Sequence, residues 1–261
     1  MDRAILFRFH KDAKICESRI ELLRELNPEV PIFGLGERIE GLDKLEDAGL
    51  KDIYVIDNES SEWKWKNGDL AIERWFNEIG HKYSFDMLHV VEWDLLFTEP
   101  LERMYSDLNK DQVALTGLKP IKEAEEYGWP WVVGEYSKER RELKMYVENH
   151  LGYSESSHGC IFPGASFPRS FLEEISDLQI PELCNDEVRV PLIAEALGYE
   201  LKETGFFGEW GNQQVYNSFN AKDQKIETET IREELNKKKG RRAFHPVRSK
   251  IGLKKIKEMK E

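Results

Sequence analysis

Over its first hundred residues the chain alternates between short, largely apolar runs and longer stretches that are apolar only at every third or fourth position. Residues 4–9, 30–35, 52–56 and 85–91 are of the first kind and are flanked by Gly, Pro, Asn or Asp, the pattern of buried strands. Residues 16–26 place Ile20, Leu22, Leu23 and Leu26 on a helical period and stop at Asn27-Pro28. Residues 42–50 read as a short helix. Residues 69–79 read as another, with Asp69 as N-cap and Gly80 beyond the end. Strand and helix taking turns four times predicts an α/β fold with a mostly parallel, doubly wound sheet and right-handed crossovers.

The pattern is less regular afterwards. It predicts a helix over 101–108, a strand over 112–116, a strand over 159–163 feeding a helix at 169–175, a strongly apolar helix over 186–197 ending at Gly198, and a last strand at 200–206. Beyond Asn220 the sequence turns polar. Residues 230–239 fit a surface helix, and 240–261 a tail that orders only on binding. No repeat and no linker divides the chain, so one domain plus a tail is expected.

Charge sharpens that division. The net charge is −12, but residues 221–261 hold 14 Lys/Arg against 7 Asp/Glu, leaving 24 against 43 in the rest. An acidic body with a basic extension does not fit a general nucleic-acid binder; the extension suits phosphate, an anionic membrane surface or the body itself. No apolar run approaches the roughly 18 residues needed to span a bilayer, and Met1-Asp2-Arg3-Ala4 leads straight into a strand, so neither a membrane span nor a signal peptide is expected. Cys16, Cys160 and Cys184 are odd in number and widely spaced, matching neither a disulfide framework nor a CxxC metal site. A cytoplasmic setting follows as the default, with peripheral membrane contact through the basic extension as an option.

Candidate chemistry begins at Glu92-Trp93-Asp94, which closes the fourth strand. Ligands of open α/β sheets gather beyond the carboxyl ends of strands, and paired acids there suit Mg2+ or Mn2+ with phosphate oxygens completing the shell. Asp94 is the expected direct ligand, with Glu92 acting through water or on a sugar hydroxyl; the bland alternative is a loop that caps the next helix. Asp186-Glu187 opens the apolar helix and reads either as an acidic first turn or as a general base. His245, in Ala243-Phe244-His245-Pro246-Val247-Arg248, is either a solvated histidine or a metal ligand beside phosphate-neutralising cations. Gly34-Leu35-Gly36 is not a dinucleotide or P-loop fingerprint, and no GxSxG, HExxH or kinase signature occurs. Trp129 and Trp131 lie in a Gly/Pro loop where rings can stack on a sugar or base.

Taken in order, these features resemble the glycosyltransferases of the GT-A fold, across roughly residues 4–248. The acidic strand end stands where that family has its D-x-D-like motif, Glu187 precedes Gly198 by eleven residues on the acceptor side, and Phe244-His245-Pro246 fits the late histidine that joins the metal. The chain departs from the family in having Glu as the first acid and Glu37, not Asp, after the second strand; Asp57 is left for the base-reading role. The resemblance implies a catalytic domain over 1–220, with a nucleotide-sugar half at 1–98 and an acceptor half at 99–220, and a charged extension at 221–261. It implies Mn2+ or Mg2+ held by Asp94, His245 and Glu92. Glu187 or Asp186 would serve as base for inverting transfer to a glycan, lipid-linked or small-molecule hydroxyl. Donor contacts would come from Arg8, Asp57, Asp69, Glu92, Trp93, Arg248 and Lys250, with Arg241 and Arg242 helping to fold the tail over the diphosphate. Acceptor contacts would come from Trp129, Trp131 and His158. The rival readings are a sugar-phosphate nucleotidyltransferase, which usually carries a glycine-rich loop where this chain has Arg8-Phe9-His10-Lys11-Asp12, and a non-catalytic adaptor whose basic extension binds lipid or nucleic acid.

Overall fold

The computed structural model describes residues 1–208, 210, 217–222 and 224–260. Its strands are β1 (Arg3–Phe9), β2 (Ile32–Gly36), β3 (Ile53–Val55), β4 (Met87–Glu92), β5 (Leu96–Phe97), β6 (Gln112–Pro120), β7 (His158–Pro168), β8 (Glu200–Glu203) and β9 (Ala243–Phe244). Its helices are α1 (Ala13–Leu26), α2 (Leu42–Asp47), α3 (Ser61–Lys66), α4 (Gly68–Glu78), α5 (Leu101–Met104), α6 (Ile121–Glu126), α7 (Tyr136–Leu151), α8 (Arg169–Ser176), α9 (Asp186–Ala196), α10 (Thr228–Asn236) and α11 (Leu253–Met259).

Seven strands form one sheet in the order β3-β2-β1-β4-β7-β6-β8. The first four run parallel, β7 is antiparallel to both β4 and β6, and β8 is parallel to β6. The mostly parallel sheet with helices on both faces is a single α/β architecture. Period-two alternation explains why both faces are apolar: Ala4 and Leu6 of β1 enter one core with Phe33, Trp75, Leu88 and Phe167, while Ile5, Phe7 and Phe9 enter the other with Ile20, Leu23, Val91 and Phe97.

The C-terminal stretch is not a tail. Ile226, Ile231, Leu235, Phe244, Val247, Ile251, Ile256 and Met259 bury a third apolar cluster against Leu22 of α1 and Leu96 of β5. β9 pairs with β5 in antiparallel register, Leu96 opposite Phe244. The basic residues between these apolar ones mask a pattern that is amphipathic, and burial rather than a ligand orders the segment. Helix α7 has no counterpart in the sequence reading because its buried stripe is only Leu143 and Val147, one helical turn apart. Asp69 is not an N-cap: Asn67 holds that position, and Asp69 sits inside the first turn of α4 with its carboxylate turned to Arg189.

Candidate active site

The parallel register of β1 and β4 sets Arg8 opposite Glu92 on the same face, and Arg8 Nη1 lies 3.4 Å from Glu92 Oε1. The Arg8 guanidinium also stands over the Phe162 ring, 5.3 Å from its centroid. Glu92 Oε2 is buried with no hydrogen-bond partner among the described residues. Two positions on, in the turn after β4, Asp94 is buried as well.

Asp94 is reached by the C-terminal segment, which acts as a strap. The Val247 N–H donates to the Asp94 carbonyl at 2.7 Å, and the Thr98 N–H to the Arg242 carbonyl at 3.0 Å. Held this way, His245 Nε2 lies 3.4 Å from Asp94 Oδ1 and Arg248 Nε 3.5 Å from Asp94 Oδ2. His245 Nδ1 donates to the Asn220 carbonyl at 2.7 Å, which leaves Nε2 as the basic nitrogen of the neutral ring. Beneath the strap the buried Arg19 donates from Nη2 to the Val247 carbonyl at 3.2 Å, and burial lowers its pKa to about 10 against the opposing pull of Asp94.

The second acidic pair arrives from the other half of the sheet. Asp186 and Glu187 form the first turn of α9, with Asn185 Nδ2 donating to Glu187 Oε2 at 3.2 Å. A staple fixes this helix end. Arg189 is fully buried; its Nε and Nη2 grip the Asp69 carboxylate at 2.7 and 2.5 Å, and Nη2 also reaches Asn67 Oδ1 at 2.9 Å. Its Nη1 donates to the Leu183 and Cys184 carbonyls. The α3–α4 junction is thereby locked to the head of α9. At that junction Gly68 has no side chain, and the space a Cβ would take borders Asp186 Oδ2 and both terminal nitrogens of Arg8. Arg8 therefore joins the two acidic pairs into one site.

The charges differ in kind. Burial pushes Asp186 well above the usual carboxylate range, with the neighbouring Asp69 and Glu187 adding to it against Arg8 and Arg189. Burial raises Glu187 to about 7, opposed by Asn185, the Phe162 backbone and His245. Glu92 is raised by burial, partly offset by Arg8 and His245. Asp94 goes the other way: burial opposes its charge, but His245, Arg248 and His10 outweigh burial. Asp94 is thus favoured as the anion, Glu187 is a base poised near neutrality, and Asp186 is shifted toward its neutral form.

A divalent cation fits this site only in part. A buried anionic oxygen and an imidazole nitrogen face one another across Asp94 and His245, and Glu92 Oε2 is unspent. Among the described residues no group of three or more His, Cys, Asp or Glu side chains is placed to enclose an ion, so phosphate oxygens would have to complete the shell.

Other expected site residues lie elsewhere or are already engaged. Asp57 is exposed and pairs with Arg38 at 3.3 Å. Asp69 is spent on Arg189. Trp93 is buried in the α1-side core, with His10 edge-on at 5.4 Å and Lys11 and Arg248 over its ring. Arg241 donates to the Gly205 and Phe206 carbonyls, and Arg242 to Glu99 and to carbonyls at the end of α10, so both hold the strap down instead of facing a diphosphate. Lys250 is exposed beyond the strap. Trp129 packs edge-on against Trp210 and over Gly159. His158 pairs with Glu195 at 2.8 Å, and that bond raises its pKa. Trp131 packs against Trp65 and Tyr136 with the rings tilted 53° to each other. Arg189, which organises the acidic helix end, was not singled out from the sequence; its signal is a lone charge between Val188 and Val190 on an apolar helix.

No protein-family model matches the chain, and no curated protein matches it. Among solved structures it resembles a WbbM bifunctional glycosyltransferase in its apo form, at 12% identity and a TM-score of 0.48, over 99% of this chain and 49% of that one. It also resembles the apo glycosyltransferase GlyE of Streptococcus pneumoniae, at 15% identity and a TM-score of 0.38, over 78% of this chain and 45% of that one. A third is a CMP:2-keto-3-deoxy-manno-octonic acid synthetase complexed with CTP, at 12% identity and a TM-score of 0.43, over 78% and 89%. The chain spans about half the length of the first two.

Proposed function

We propose that this chain transfers a sugar from a nucleotide diphosphate sugar to a hydroxyl acceptor, with inversion at the anomeric carbon. The observation that carries this reading is the convergence, through Arg8, of a strand-end acid pair and a helix-head acid pair whose protonation behaviour differs. The acceptor oxygen attacks the anomeric carbon while its proton passes to Glu187; the bond from that carbon to the diphosphate breaks, and its electrons leave with the diphosphate. A base with a pKa of about 7 is matched to that task near neutrality, which favours Glu187 over Asp186, pushed by burial well above the usual carboxylate range. Arg8 and Arg248 stand ready for the charge that develops on the leaving group. A divalent cation such as Mn2+ or Mg2+, when bound, supplies Lewis-acid stabilisation of the diphosphate, and Asp94 with His245 are the residues that would hold it. Glu92 would act through water or on a sugar hydroxyl.

The test is release of nucleoside diphosphate from a panel of UDP-, GDP- and dTDP-linked sugars, with Mn2+ and with chelator, in the wild-type, Asp94→Ala and Glu187→Gln proteins. Transfer requires activity in the wild type and its loss in Asp94→Ala. Full activity of wild-type protein in chelator would remove the metal from the reading. Pyrophosphate release from CTP or UTP with a sugar phosphate would instead establish the nucleotidyltransferase reading. Against that rival, the β1–α1 loop has no glycine, and Asp12 in the left-handed region caps α1.

A further inference from the structure

Trp65 is the most solvent-exposed large hydrophobic residue among the described residues, at 64%. A tryptophan open to that degree on a charged surface gains little from burial where it stands. Its ring lies 5.2 Å from that of Trp131, which lies 4.6 Å from that of Tyr136. Lys66 Nζ stands over the Tyr136 ring at 5.0 Å and pairs with Glu62 at 3.4 Å. Three rings from α3, the tryptophan loop and the head of α7, each tilted 53° to the next, thus form one contiguous aromatic platform of inclined faces with a charged rim.

Both supports of this platform are bonded to the head of α9. On one side α3 runs through Lys66 and Asn67, whose oxygens accept from Arg189, into Gly68 beside Asp186 and Arg8. On the other, the first turn of α7 holds Glu139, which accepts from the Cys184 N–H at 3.0 Å, two residues before Asp186. The cluster is therefore held in fixed register with Asp186 and Glu187.

We propose that Trp65, Trp131 and Tyr136 form a glycan-binding subsite, on which a saccharide ring of the acceptor stacks beside Asp186 and Glu187. The proposal rests on the transferase reading above and narrows its acceptor to a carbohydrate. A pyranose presents a face of C–H groups to aromatic rings while its hydroxyls reach outward, which suits an open platform with a rim of Lys66 and Glu62. A lipid chain needs a closed apolar groove, and a polyanion is disfavoured by a body with 43 acidic against 24 basic residues over 1–220.

The test is binding of wild-type, Trp65→Phe and Trp65→Ala proteins to an array of neutral oligosaccharides, with affinities for the captured glycans measured in solution. The wild type should retain a defined set, Trp65→Phe should keep it, and Trp65→Ala should lose at least about tenfold in affinity. Because Trp65 is exposed, all three should fold alike, which circular dichroism checks. Unchanged binding by Trp65→Ala, or no glycan retained by the wild type, overturns the subsite. Nucleoside diphosphate release by the wild type is followed separately. Trp65-dependent glycan binding without such release supports the subsite while removing the transferase reading; release without it does the reverse.

Discussion

Glu187 sits where stability and catalysis pull apart. Its folded pKa of about 7 lies above the 4.5 of a free glutamate, so the folded state prefers its protonated form. The penalty for ionising it is absent below the unfolded value, grows as pH rises between the two, and is complete above pH 7. Glu187→Gln removes that penalty: the variant should gain up to about 3 kcal/mol at pH 8 and nothing at pH 4, read from urea denaturation at both. The same change should lower turnover by about 10²–10⁴-fold while leaving nucleoside diphosphate affinity near wild type, and should abolish the rise in rate through pH 7. If Asp186→Asn proves the more damaging change, the base is misassigned. Gly68 meets a simpler constraint. An added Cβ would lie 2.4 Å from Asp186 Oδ2 and 2.7 Å from Arg8 Nη1. Gly68→Ala should therefore cost about 1–3 kcal/mol and separate Arg8 from Asp186, seen as a loss of both stability and turnover.

At the scale of elements, the site depends on two connections that the hydrophobic pattern of the chain conceals to different degrees. The alternating strands and helices of the first hundred residues were legible, because period-two and period-3.6 burial leave distinct marks. So was the placing of an acid pair at the end of β4 and another at the head of α9. The strap was not, since its apolar residues are interleaved with basic ones and read as a solvated tail; their docking partners, Leu22 and Leu96, are more than a hundred residues away in sequence. The staple was hidden for a different reason. Nothing local to Arg189 reveals that Asp69 and Asn67, about 120 residues earlier, receive it. Breaking that buried pair leaves a carboxylate unpaired, so Arg189→Met should destabilise by about 3–5 kcal/mol in urea denaturation. The double variant with Asp69→Asn should recover part of the loss, and an absence of coupling between the two would show that they do not act as a pair. Phe244→Ala should also cost about 3–5 kcal/mol and loosen His245 and Arg248 from Asp94, weakening nucleoside diphosphate binding beyond what stability alone explains.

For the whole molecule, the uneven charge raises the question of what holds the basic segment to an acidic body. Among the described residues Arg242–Glu99, His245–Asp94 and Arg248–Asp94 cross to the body, while Lys225–Glu227, Arg232–Glu229, Lys237–Glu234 and Lys254–Glu258 join near neighbours within the segment. Exposed pairs of this kind are worth little and are screened by salt, whereas the strap buries Phe244, Val247, Ile251 and Ile256. Among the described residues no helix is long and apolar enough to cross a membrane. Apolar docking and charge-based ligand binding respond differently to ionic strength. Raising KCl from 0.05 to 0.5 M should leave the stability of the protein within about 1 kcal/mol, because burial dominates it. Affinity for a nucleoside diphosphate, if held by Arg8 and Arg248 as proposed, should fall severalfold over the same range in isothermal titration. A protein that unfolds more readily in high salt would place the strap under electrostatic control, and an unchanged affinity would mean that those arginines do not face the phosphates.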